Sequence, residues 1–120
     1  MAKLVIRDEQ MAVFRNRSEA DFRRRLFERL SQINENAGQT LTDDALANQM
    51  ERAITSGRRF FSTERDLARY VEIVFTRMGG WSDNDHPRQV IDLLASRAVA
   101  GARRLDNLEH WIVKTRRAHA

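Results

Sequence analysis

The sequence predicts an all-α protein, a single five-helix bundle with short connections and mixed crossing angles, and three observations carry that prediction. Large apolar residues recur at three- and four-residue steps through most of the chain, the spacing that lines one face of a helix. Breakers are scarce, with one Pro and five Gly in 120 residues, and no run reads as a strand. The clearest periodic stretch, Ser62 to Gly80, puts Leu67, Tyr70, Val71, Val74, Phe75 and Met78 on one stripe, which marks it as the central helix. Its flanks agree: Thr63 with Asp66 resembles a capping box, and Gly79 supplies a left-handed stop.

Taken in order, the first helix is capped by Asp8 and runs to about Gln32, with Met11, Phe14, Ser18, Phe22, Leu26, Leu30 and Ile33 at helical spacing. It also carries six arginines, of which Arg15 and Arg29 fall beside the apolar stripe, their stems along the core edge and their guanidinium groups reaching water or a carboxylate. The polar stretch Asn34 to Gln39 contains Gly38 and turns the chain. The second helix opens with Leu41 and Leu46 flanking Thr42 as a hydrophobic staple, and Asp43 and Asp44 complement the helix dipole. It buries Leu46, Met50, Ala53 and Ile54 and ends near Gly57. Beyond the central helix, Gly79 and Gly80 break the chain and Pro87 suits the first turn of the fourth helix. That helix carries Val90, Ile91, Leu94, Ala95 and Ala98 to a stop near Gly101, and the fifth carries Leu105, Leu108, Trp111 and Ile112. Residues 1–120 therefore form one domain, with 1–7 and 114–120 as frayed ends.

The totals narrow the function classes. Without Cys there is no disulfide, thiolate metal site or cysteine nucleophile, which fits a reducing, cytoplasmic setting. The opening apolar run is only Leu4, Val5 and Ile6, short of a signal-peptide core, and no window approaches the roughly 20 apolar residues of a membrane span. The formal charge is +4, and 19 of the 21 basic residues are Arg, the residue suited to bidentate contact with carboxylates or phosphates. That charge is about +3 over residues 1–33, −3 over 34–57, +2 over 58–80, −1 over 81–101 and +3 over 102–120, so it is interleaved with acids. A DNA-reading helix with a basic and amide-bearing exposed face is not evident.

Catalytic chemistry has little support. His86, His110 and His119 are widely separated, and Asp83, Asp85 and His86 lack the further ligands that calcium or zinc needs. Neither a metal nor another cofactor is expected. The carboxylate pairs Asp43/Asp44 and Glu64/Asp66 fall in first helical turns, where capping explains them. What stands out instead is aromatic and charged. Arg58, Arg59, Phe60 and Phe61 fill a connection too short to hide both rings, so one ring enters the core and the other is left for contact. Trp81, with Asp83 and Asp85, occupies a polar loop, where its ring either packs on the end of the bundle or anchors a partner.

IRDEQMAVFRNRSEADFRRRLFERL, ERAITSG and STERDLARYVEIVF, followed by a loop of Gly, aromatic and Asp, together resemble a group of small helical bacterial proteins. That group is encoded beside type VI secretion genes, next to spike, PAAR or effector proteins. Gln10, Met11, Phe14, Phe22, Glu64, Asp66, Leu67, Arg69, Tyr70, Val71, Phe75, Gly79 and Asp83 fit its pattern; RRFFS and GGWSDNDHP depart from it. The resemblance implies a non-enzymatic accessory role, a chaperone, adaptor or immunity-like protein holding an effector or spike component. A small basic DNA-binding regulator is the alternative. The two departures, Arg58 to Phe61 and Trp81 to Asp85, are the candidate partner-binding residues.

Overall fold

The computed structural model describes residues 8–38, 41–78 and 88–118, with side chains over 17–38, 41–78 and 88–115. The described residues form five helices: α1 (Asp8–Asn36), α2 (Asp43–Gly57), α3 (Glu64–Arg77), α4 (Arg88–Ala95) and α5 (Gly101–Ala118). The all-α bundle predicted from the sequence is the observed fold. Among the described helices, α3 packs against α1, α2 and α5, whereas α4 packs against α5 alone. The central position of α3 explains its buried set, Leu67, Tyr70, Val71, Ile73, Val74 and Phe75. Ile73 lies outside the stripe read from the sequence, and it is buried because neighbours on two sides widen the covered face beyond one stripe.

Local chemistry sets most helix ends. Thr42 Oγ1 accepts from the Ala45 N–H at 3.2 Å and Thr63 Oγ1 from the Asp66 N–H at 3.2 Å, so α2 and α3 start where their caps predict. α1 runs one turn beyond Gln32. Asn34 and Glu35 are compatible with a helix, and the backbone leaves it only where Gly38 adopts φ 67°. Across that turn the Asn34 Nδ2 donates to the Leu41 carbonyl at 3.3 Å. α3 ends at Arg77, with Met78 half-buried against the core, and the stop assigned to Gly79 lies outside the described residues.

The last two helices require corrections. α4 ends at Ala95, leaving Ala98 outside it, and Gly101 opens α5 instead of closing α4. The cause is tertiary: the Leu94 and Val99 carbonyls turn to the guanidinium of Arg104. Val90 and Leu94 are fully buried, but Ile91 is 36% exposed, since among the described helices α4 packs against α5 alone. Leu105, Leu108 and Ile112 lie on α5 as predicted and are buried, and Trp111 packs at the core edge. α5 continues through Ala118; residues 1–7 and 119–120 lie outside the described residues.

Arginine–carboxylate pairs orient the helices over this core. Arg23 of α1 meets Glu51 of α2 at 2.6 Å, Arg29 of α1 meets Glu72 of α3 at 2.7 Å, and Arg69 of α3 meets Asp106 and Glu109 of α5. Exposed pairs contribute about 0.2–1 kcal/mol each, so they fix register while the core supplies most of the stability. Ser18, placed on the apolar stripe by its spacing, is exposed and donates to Glu64 Oε1 at 3.2 Å. The stripe therefore starts at Phe22 within the described side chains.

Candidate functional site

Of the seven sequence-derived candidates, the structure places four together, Arg58, Arg59, Phe60 and Phe61 in the turn from α2 to α3. Trp81, Asp83 and Asp85 lie outside the described residues. The turn follows α2 without unwinding at once: the Arg58 N–H donates to Ile54 O at 3.0 Å, and the N–H groups of Phe60 and Phe61 both donate to Gly57 O, at 3.0 and 2.9 Å. Gly57 is where backbone and core come closest. A Cβ there would lie 2.6 Å from Leu67 Cδ1 and 2.7 Å from Tyr70 Cδ1, so only glycine lets α2 settle this near α3.

The two rings divide as the short connection predicts. Phe61 is 4% exposed, with its ring 5.6 Å from that of Tyr70, and Phe60 stays half-buried, edge-on to Phe61 at 6.5 Å. Arg59 is exposed and its guanidinium lies 5.6 Å from the Phe60 centroid. Arg58 is exposed as well and pairs with Glu19 of α1 at 3.2 Å. The Arg58 guanidinium, with Arg23 on the other side, holds the Glu19 carboxyl below the usual carboxylate range.

Arg104 of α5 supports this turn from below. Its Nη1 donates to Phe60 O at 2.8 Å and Leu94 O at 2.6 Å, its Nε donates to Val99 O at 3.0 Å, and the group lies 4.9 Å from the Phe61 centroid. One guanidinium thus joins the α2–α3 turn, the C-terminal end of α4 and the α4–α5 connection, where a cation also complements the α4 dipole. Sequence reading passed over it. The usable signal was present, since Arg104 stands one turn before Leu108 on the apolar side of α5, as Arg29 stands beside the stripe of α1. Arg29 is exposed and paired with Glu72, whereas Arg104 is the half-buried one. Tyr70 completes the support: its hydroxyl and Ser56 Oγ lie 3.2 Å apart, and burial pushes its phenol up, with the Ser56 hydrogen bond and Arg59 opposing.

A cleft of about 360 Å³ runs beside the turn, lined by Glu19, Phe22, Arg58, Phe61, Glu64 and Leu67 among others. A second, of about 320 Å³, continues between α1 and α3 and shares Phe22 and Glu64 with the first. Exposed guanidinium groups beside a half-buried ring suit recognition of carboxylates and apolar side chains. Among the described residues no group of three His, Cys, Asp or Glu is placed to hold a metal ion, and no helix is long and apolar enough to cross a membrane. His110, the one histidine whose side chain is described, is exposed on α5.

The fold and the turn define a small all-α domain with an arginine- and phenylalanine-bearing surface. Compared with protein-family models, with curated proteins and with solved structures, the chain has no match.

Proposed function

We propose that this protein is a non-enzymatic accessory or adaptor protein that binds another protein in the cytoplasm, and that the partner is a type VI secretion effector or spike component. The observation that carries this reading is the Arg58–Phe61 turn, in which the exposed Arg59 guanidinium lies 5.6 Å from the half-buried Phe60 ring on a support fixed by Arg104. A surface held in this way loses little conformational freedom when a partner docks, which favours affinity. The particular partner class comes from the resemblance carried by the opening segment, ERAITSG and STERDLARYVEIVF. Chaperone and immunity-like roles both use such a surface and differ in whether the bound partner is delivered or blocked.

The test is affinity capture with the products of the neighbouring genes. Retention of one of them by folded protein, weakened by Arg58→Glu with Arg59→Glu, is the expected result. No retention while circular dichroism reports a folded helical protein removes the reading. The DNA-binding alternative predicts retardation of duplex DNA that weakens steeply with salt. It is disfavoured by the carboxylates that stand beside the arginines, Glu19 at Arg58 and Glu51 at Arg23.

A further inference from the structure

The cleft between α1 and α3 has a charge imbalance, with three arginines and two glutamates in its lining. Its floor is Phe22 and Leu26 from α1 with Ala68 from α3, and its rim carries Arg25, Arg29 and Arg65 against Glu64 and Glu72. Both carboxylates are answered. Glu72 accepts from Arg29 at 2.7 Å, and Glu64 accepts from Ser18 at 3.2 Å with Arg25 at 3.8 Å. The guanidinium groups are not all answered. Among the described residues Arg65 has no hydrogen bond or ion pair, and Arg25 has only the long contact to Glu64 and a 3.4 Å bond to its own helix at Asp21 O. The surplus on the rim is therefore positive, and it faces a hollow of about 320 Å³ over apolar side chains.

We propose that this cleft docks an acidic, amphipathic segment of the protein partner, an apolar side chain seated over Phe22, Leu26 and Ala68 and a carboxylate held by Arg65 and Arg25. The inference rests on the protein-binding reading above and names the surface and the chemistry of that partner. A guanidinium without a protein carboxylate is ready to form a bidentate, charge-assisted pair with an incoming one. The volume sits at the low end of ligand pockets, roughly 300–1,000 Å³, which fits one or two side chains of a docked segment. A nucleic acid fits less well, because its phosphates would run past Glu64 and Glu72 on the same rim and meet one unanswered arginine instead of a row. The cleft shares Phe22 and Glu64 with the hollow beside the Arg58–Phe61 turn, so the two lie side by side.

The test uses a fluorescein-labelled peptide with leucine and glutamate at helical spacing, read by anisotropy, beside the same peptide with every glutamate replaced by glutamine and a labelled duplex oligonucleotide. The expected result is binding of the acidic peptide, weakened about tenfold or more by Arg65→Glu and again by Arg25→Glu. Amide NMR shifts should centre on Phe22, Leu26 and Ala68. Equal binding of the glutamine peptide, indifference to both charge reversals, or preference for the oligonucleotide overturns the proposal. Captured gene products separate the two claims. A partner retained equally by wild type and Arg65→Glu sinks the cleft but leaves the accessory reading standing. Specific peptide binding without any captured partner supports the cleft and removes the secretion reading.

Discussion

Arg104 links three segments distant in sequence through one side chain, and its replacement tests whether the candidate surface depends on it. Arg104→Ala leaves the Phe60, Leu94 and Val99 carbonyls without their donor, which should cost about 2–4 kcal/mol in urea unfolding. Arg104→Lys should recover less than half of that, because one ammonium on a flexible stem cannot span a carbonyl set matched to a planar fork. A loss below about 0.5 kcal/mol in the alanine variant, the range of ordinary surface changes, would show that the contacts are incidental. Tyr70 gives a second residue-scale prediction. Its phenol is fully buried and its pKa is raised, mainly by that burial. The neutral form is the one the fold favours, so this stabilisation is complete below the free phenol value of about 10 and is lost as pH rises through the folded value. An ultraviolet titration should show Tyr70 ionising above free tyrosine, with stability falling over the same range. Ionisation at the free value would contradict the burial.

At the scale of the element, α3 and α4 show what the sequence can and cannot convey. The α3 stripe, the Thr42 and Thr63 caps and the buried face of α2 were all legible, since each depends on residues within one or two turns. The split between Phe60 and Phe61 was legible as a choice between rings, and burial of Phe61 resolves it. The end of α4 was not legible. It depends on Arg104, whose acceptors Val99, Leu94 and Phe60 lie 5, 10 and 44 residues away. Periodicity likewise puts Ile91 on α4 but does not give how many neighbours cover it. A pair of variants checks the arrangement. Leu94→Ala should destabilise by about 2–5 kcal/mol, whereas Ile91→Gln should stay within about 0.5 kcal/mol. Equal losses would mean that α4 buries a different face.

For the whole molecule, the arginine content takes on a different meaning once the helices are in place. A positive charge interleaved with acids left carboxylate and phosphate partners both open in the sequence. In the fold, Arg23, Arg29, Arg58 and Arg69 are each committed to carboxylates of other segments. Arg88, Arg97 and Arg103 are exposed on α4, α5 and the connection between them, and Arg25, Arg59 and Arg65 are exposed on the face where α1, α3 and the Arg58–Phe61 turn meet. The central claim is that this one face binds a protein, and amide NMR mapping on addition of the captured partner tests it most directly. The account predicts shifts and line broadening concentrated on residues 58–61 and the facing turns of α1 and α3, with α4 and the outer face of α5 unchanged. Changes centred on Ile91 and Val113, with residues 58–61 silent, would contradict it.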